Sequence, residues 1–342
     1  MKFVDPKIWL IALLAALCCA CGKSDTDGVP EPAPAVYYWR TTLTLDSTER
    51  AFLAEHNIKK VYLRYFDVAV GADGKIAPNA TLRFADSLPP AIEVIPTVFI
   101  TENCLRYDLD EFAPRIVRRV TTMTDANRVN AARELHLDCD WTERSLDDYY
   151  AFLKTVRKQL PEGYRLSATI RLHQLAMAPP PVDYGVLMVY NTGDLTDHSC
   201  PNPILDERDV VPYVKRLADY RLPLCAAYPN FGWNLLFDGT TFKAILYGED
   251  LADSTVYYRL DPTRHLVVQS RDIYIARGAE TVHLNAGDSV LSRLPAPDAI
   301  VKIHDMLAKR RPAINSQVII YSLDSKNINN YNSKHYEKIY RP

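Results

Sequence analysis

Polar and apolar positions alternate most clearly along residues 134–143. This period of two is typical of a β-strand with two chemically different faces. An amphipathic helical pattern follows at once, so we expect a strand of a parallel sheet, covered on both sides. Carboxylates on a covered face are costly unless they are paired, hydrogen-bonded or used in chemistry. The apolar face holds Leu135, Leu137, Cys139 and Trp141, and the ionisable face His136, Asp138 and Asp140.

Strand and helix patterns alternate along most of the chain. This order predicts an α/β fold of the (β/α)8 TIM-barrel type. A doubly wound open sheet is the alternative, but the chain has only 12 glycines and no glycine-rich nucleotide loop. The predicted strands are 36–41, 60–67, 91–101, 133–141, 165–173, 182–190, 222–228 and 317–323, and the helices are 47–57, 109–130, 145–160, 206–220 and 297–309.

Residues 238–293 interrupt this alternation with short patterns of antiparallel β type. They fall between the seventh strand and its helix. In a barrel, that connection lies at the carboxyl face, where active sites are found. We therefore predict a β-rich insertion at the mouth of a cleft, within a barrel domain of residues 36–342.

The N-terminus has the features of a targeting segment. Lys2 and Lys7 precede an apolar run, residues 8–20, that is too short to span a membrane. The run ends at Ala20-Cys21, which resembles the lipobox of bacterial lipoproteins. We predict a lipoprotein signal peptide over residues 1–21 with lipidation at Cys21; a plain secretory peptide is the alternative.

Residues 22–35 are predicted to be a linker. They contain three prolines within five residues, which gives a short and semi-rigid spacer. Residues 23–27 are similar to the acidic tether of surface lipoproteins in the Bacteroidota. That similarity implies a lipid-anchored protein at the outer membrane or cell surface, with a periplasmic orientation as the alternative.

Composition argues against some partners and leaves the disulfide pairing of the cysteines open. The net charge is −2 and no basic stripe is visible, so nucleic acid is not an expected partner. No spacing resembles a zinc site, and we expect neither a metal nor another cofactor. Four cysteines lie beyond the signal, and in an oxidising compartment they allow three pairings. They are Cys104, Cys139, Cys200 and Cys225.

The alternation also predicts which side chains face the barrel interior. One interpretation of the polar side chains among them is a structural network of buried ion pairs, in which Arg64 pairs with Asp138 and Arg171 with Asp140. The other is a functional site at the carboxyl end, held in place by pairs below it. The predicted inward sets are Tyr62, Arg64 and Phe66 on the second strand, His136, Asp138 and Asp140 on the fourth, and Ser167, Thr169, Arg171 and His173 on the fifth.

The segment Leu137-Asp-Cys-Asp-Trp-Thr142 resembles the fourth strand of glycoside hydrolases related to family 18 chitinases. Their pattern is Asp-x-Asp-x-Glu, and Asp138 and Asp140 match its two aspartates. Trp141 matches a frequent aromatic residue. Thr142 stands at the position of the acid glutamate, and Glu143 follows one place later.

A second resemblance extends over residues 36–235. The Tyr150-Ala-Phe-Leu153 helix and the Leu166-Ser-Ala-Thr169 strand are similar to those of a group of exported bacterial barrel proteins. The family 18 resemblance implies that a tyrosine on the sixth strand supports catalysis, and Tyr190 is in a compatible place.

Together these observations predict a glycoside-hydrolase-like barrel lipoprotein that acts on or binds a glycan. Asp140 would be the central carboxylate, Asp138 its support, and Glu143 or Asp194 the proton source. A non-catalytic glycan-binding protein and a structural envelope protein are the alternatives. The predicted substrate-binding residues are Trp141, Arg171, His173, Tyr190, Asn191, Tyr228, Trp233 and Asp324.

Overall fold

The computed structural model of the protein describes residues 33–107, 111–275 and 280–341. The predicted signal peptide, its lipidation residue Cys21 and most of the predicted linker lie outside the described residues.

Eight parallel strands form a closed ring. The first strand pairs in parallel with both the second and the last, and the others pair in chain order. The predicted (β/α)8 barrel is therefore confirmed. The strands are β1 Ala35–Tyr38, β2 Lys60–Val70, β3 Glu93–Ile100, β4 Glu134–Cys139, β5 Arg165–Arg171, β6 Tyr184–Met188, β7 Leu224–Pro229 and β8 Val318–Tyr321.

Helices cover the outside of the ring, with two departures from regular alternation. Residues 71–92, all of them described, form short strands and turns instead of a helix, and Ile76–Asn79 pairs with β2. After β5 the chain forms only the 3-10 helix Leu172–Ala176. No helix of the described residues combines the length and the apolar character needed to span a membrane. The α-helices are α1 Ser47–Glu55, α2 Phe112–Ala126, α3 Leu146–Gln159, α4 Glu207–Leu217, α5 Pro297–Arg310, α6 Ser325–Ile328 and α7 Ser333–Ile339.

The barrel separates two packing environments. Apolar side chains of the helices pack on the outer face of the strands. Tyrosines and polar groups fill the interior, where Tyr37 donates to or accepts from His136 Nε2 at 3.0 Å. The inward prediction for Phe66 is wrong, because a register shift between Arg64 and Phe66 turns Phe66 outward. There its ring lies beneath the guanidinium of Arg119 from α2.

The insertion is larger than predicted. It begins at Trp233 and contains a five-stranded antiparallel sheet and a separate hairpin. The first strand was missed because the apolar run 235–237 breaks the alternation, and the structure has a bulge there. The sheet strands are Trp233–Asp238, Thr241–Ile245, Tyr257–Asp261, Arg264–Val267 and Ser289–Arg293, and the hairpin is Arg271–Ile275 with Glu280–Leu284.

Substitution of Gly185 tests the packing of the barrel wall. A Cβ at Gly185 would lie 2.6 Å from Ile170 Cγ1 and 2.9 Å from Leu224 Cδ2. We expect Gly185→Ala to lower the free energy of unfolding by about 1–3 kcal/mol through overpacking. Urea denaturation measures this change. The exposed Ala51→Ser control should stay within about 0.5 kcal/mol of wild type, and equal behaviour of the two variants would contradict the prediction.

Candidate ligand-binding site

A cavity of about 1560 Å³ lies at the carboxyl ends of the barrel strands. Its wall includes residues that follow β1, β6 and β7, and residues of the insertion. This is the face at which barrel proteins place their sites, and the insertion shapes its mouth as predicted. The aromatic part of the lining consists of Trp39, Phe99, Tyr190, Phe231, Trp233 and Tyr321.

These aromatic side chains contact one another in series. The ring centroids of Tyr190 and Tyr321 are 5.1 Å apart, and those of Trp39 and Tyr321 are 5.7 Å apart. Phe231 and Trp233 continue the series at 5.5 Å. Such a wall combines large apolar faces with polar edges, which suits a ligand that has both characters.

Asp138 is the buried carboxyl of the site. Its side chain accepts a hydrogen bond of 2.6 Å from Thr169 Oγ1. A guanidinium nitrogen of Arg171 lies 4.0 Å away. Burial raises the pKa of Asp138 to about 6, against the favourable charge of Arg171 and with a smaller contribution from Asp140. Because of this pKa, Asp138 changes charge just below neutral pH.

Asp140 is more exposed and is neutralised by the same arginine. The side chain of Asp140 is 55% exposed and accepts from Arg171 Nε. The predicted pair of Arg171 with Asp140 is therefore present. The predicted pair of Arg64 with Asp138 is wrong: Arg64 binds Asp67, because the register shift in β2 brings Asp67 to the inner face.

Tyr190 lines the cavity and carries a polar group that has no partner among the described residues. Its phenol oxygen is buried, and no hydrogen-bond partner for it exists among the described residues. Burial raises the pKa of Tyr190 well above its usual value. The hydroxyl is therefore neutral and can donate to a ligand oxygen.

The structure brings seven of the eleven predicted site residues to the cavity wall. Both aspartates of the fourth-strand motif are among them, together with residues that follow β6, β7 and β8. The seven are Asp138, Asp140, Arg171, Tyr190, Asn191, Trp233 and Asp324.

The other four do not lie where the sequence predicted. Trp141 has the parity of the outward residues, so it is buried against Tyr149 and Tyr150 of α3. Tyr228 also faces outward, and its hydroxyl donates to Asn315 Oδ1 at 2.8 Å. His173 leaves the alternation because the chain enters a 3-10 helix after Arg171. Like Glu143, it is exposed and outside the cavity lining.

Thr142, which stands at the position of the acid glutamate in the family 18 motif, takes part in a hydrogen-bond cluster. Thr142 Oγ1 and Ser145 Oγ each donate to Glu102 Oε1 at 2.7 Å. These hydrogen bonds, led by that from Thr142, hold the pKa of Glu102 below its usual value. Glu102 therefore anchors this loop as a charged acceptor. Asp194, the other predicted proton source, accepts from Thr196 in an exposed turn outside the lining.

Several lining residues were missed by the sequence predictions. Trp39 directly follows β1 and Tyr321 ends β8, and the few residues of these short strands give little periodic signal. Trp39 could have been found from its parity with Tyr37, which also faces inward. Further missed residues are Phe99, Phe231, Arg293, Lys326 and Asn327.

Within residues 33–107, 111–275 and 280–341, no group of three His, Cys, Asp or Glu side chains could hold a metal ion. The four cysteines whose pairing was open are all free thiols: Cys104, Cys139 and Cys225 are buried, and Cys200 is half-buried.

Known proteins are similar to this chain in structure. The sequence matches no protein-family model and no curated protein. One similar structure is the GH18 chitinase ChiB from the chitin utilization locus of Flavobacterium johnsoniae, with 10% identity, 90% of this chain and 94% of that chain covered, and a TM-score of 0.49. Another is a chitinase from Bacteroides thetaiotaomicron, which is 9% identical in sequence. The match covers 90% of this chain and 93% of that chain, with a TM-score of 0.49. A third is the Bacillus cereus spore cortex-lytic enzyme SleL, which is 15% identical in sequence. The match covers 87% of this chain and 73% of that chain, with a TM-score of 0.47. The barrel assignment rests on the strand pairing described above.

The substitution Asp138→Asn tests the raised pKa of the buried carboxyl. Between about pH 4 and 6, the folded protein binds this proton more tightly than the unfolded chain. Asp138 therefore contributes stability that is fully present below the unfolded pKa and is lost as the pH rises through about 6. We expect the unfolding free energy of wild type minus that of D138N to fall by on the order of 2 kcal/mol between about pH 4 and 7. Denaturation at the two pH values measures it, and an unchanged difference would contradict the raised pKa.

Proposed function

We propose that this protein binds a glycan in the cavity at the carboxyl face of its barrel. The observation that carries the proposal is the continuous aromatic wall beside the polar side chains of Asp138, Asp140 and Arg171, which we call the floor of the cavity. Sugars present apolar C–H faces and many hydroxyls, so they need both kinds of surface. The Asp-x-Asp motif of β4, which resembles that of glycoside hydrolases, contributes both aspartates to this floor.

The state of the carboxylates favours binding over hydrolysis. Hydrolysis of a glycosidic bond needs an acid at the leaving oxygen and, outside substrate-assisted families such as family 18, a second, free carboxylate. At the acid position of the motif this chain has Thr142, which cannot protonate that oxygen. Here Arg171 engages Asp140 directly and lies 4.0 Å from Asp138. Asp67 is held by Arg64, and Glu102 by two hydroxyls. Each carboxylate near the floor thus already has a partner.

We further propose that the barrel is displayed at the cell envelope. The support is the sequence alone: the basic start, the short apolar run and Cys21 of the predicted lipoprotein signal. A proline-containing spacer after Cys21 would hold the cavity away from the membrane surface. Radiolabelled palmitate incorporation that disappears in Cys21→Ala would support this anchor.

Glycan binding predicts a dependence on Trp39. Its ring packs edge-on against Phe99 and contacts Tyr321, so its loss would open the wall. We expect Trp39→Ala to weaken glycan affinity roughly three- to tenfold, measured by titration calorimetry on a ligand found with a glycan array. Tyr258→Ala is the control, because Tyr258 is an exposed aromatic residue outside the cavity. Equal weakening in both variants, or no binding by wild type, would contradict the proposal.

Hydrolysis is the second candidate, and one observation favours it. A carboxyl group with a pKa of about 6, such as Asp138, is partly protonated near neutral pH and can act as an acid. We expect wild type to release no reducing ends from the glycan that it binds. Release that is abolished in Asp138→Asn but kept in the exposed Asp148→Asn would instead establish a hydrolase.

A further inference from the structure

We propose that the insertion adds a subsite for an acidic sugar, so that the glycan bound by this protein carries carboxylate groups. This inference rests on the proposed function and names the chemical class of the glycan. It is based on the position of one tryptophan and two cations at the side of the cavity formed by the insertion.

The first step is the pairing of Trp233 with Arg293. These residues are directly opposite each other on neighbouring antiparallel strands of the insertion. Opposite residues in such a pair project from the same face, with Cβ atoms about 5 Å apart. Both residues line the cavity. A sugar ring against the indole would therefore bring its substituents within reach of the guanidinium.

The second step concerns the free bonding capacity of Arg293. Its Nε is buried without a hydrogen-bond partner, and its Nη1 has only a long contact of 3.4 Å to the Ser292 carbonyl. No carboxylate of the described chain forms an ion pair with it. Asp261 attracts it from a distance, but Asp261 is engaged by Arg264 Nε at 2.5 Å. A half-buried guanidinium that lacks partners is costly unless a ligand supplies them.

The third step is the presence of a second cation at the same side. Lys326 of α6 lines the cavity. Its Nζ would lie 3.9 Å from a Cβ built on Gly248, so the lysine reaches the insertion. In the part of the chain that the structure describes, its ammonium group forms no ion pair. Lys326 therefore adds a positive charge that no ion pair neutralises, beside the Asp324 carboxylate, which accepts the backbone N–H of Lys326 at 3.0 Å.

The remaining cations of the cavity are already neutralised. Arg40 binds Glu49 at 2.8 Å, Arg64 binds Asp67, and Arg171 binds Asp140. The cations without an ion pair thus belong to the insertion and α6, and Asp324, the N-cap residue of α6, lines the same cavity. A planar guanidinium fork matches a carboxylate in two parallel hydrogen bonds. This geometry favours a sugar carboxylate as the ligand group.

The experiment uses two oligosaccharide series, and within each series the compared forms differ only at C6. Titration calorimetry on the full protein would use cello-oligosaccharides and oligogalactosides, each in neutral, C6-carboxylated and C6-sulfated form. We expect the carboxylated form to bind at least about tenfold more tightly than the neutral form at low salt, with the gain reduced at high salt. A sulfated form that equals the carboxylated form would support charge recognition but overturn the choice of carboxylate.

Two variants on separate elements locate the subsite. Arg293→Gln and Lys326→Gln should each reduce the preference for the carboxylated form, and Arg293→Gln should reduce it about tenfold. Arg259→Gln, an exposed change on the insertion outside the cavity, should leave the preference intact. Thermal unfolding would show that each variant is folded.

The possible failures are distinguishable. Equal affinity for neutral and carboxylated forms, or an unchanged preference in both cavity variants, would overturn the acidic subsite and leave glycan binding in place. Absence of binding to every form would overturn the acidic subsite together with the proposed function.

Discussion

Arg171 holds together the charged floor on which the site is built. It ends β5, lies 4.0 Å from Asp138 of the neighbouring strand β4, and contacts Asp140 just past the end of that strand. Removal of this guanidinium would leave two carboxylates of like charge at the barrel mouth, one of them buried, at a cost of several kcal/mol. One ion-pair network therefore stabilises the mouth of the barrel.

A second network supports the floor from below. Glu134 accepts from Ser167 Oγ at 2.6 Å, and Ser167 contacts His136 Nδ1 at 2.9 Å. His136 Nε2 in turn contacts Tyr37. Burial lowers the pKa of His136 to about 3, so the imidazole is neutral and can accept from Tyr37 while it donates to Ser167. This buried chain fixes the inward side chains beneath Asp138, and satisfied hydrogen bonds make its burial tolerable.

The insertion changes what the barrel mouth can recognise. The barrel strands contribute acidic groups that are already paired, whereas the insertion contributes Trp233 and the unpaired Arg293. The ion-paired carboxylates and the unpaired guanidinium thus lie in two parts of the cavity, whereas aromatic side chains line both parts. A ligand that spans both would meet the network of Arg171 and the two aspartates at the floor and the cation of Arg293 on the insertion.

The sequence by itself determined the barrel class, the inward aspartates of β4 and the place of the insertion, because alternation and element order depend on local chemistry that is visible along the chain. It failed where tertiary contacts change the local pattern. The bulge in β2 turned Phe66 outward and joined Arg64 to Asp67, and the 3-10 helix after β5 removed His173 from the site. The pairing of Trp233 with Arg293 and the closure of β1 on β8 join residues far apart in sequence. Only the tertiary structure decided these contacts, since no local periodicity encodes which distant strand will become a neighbour.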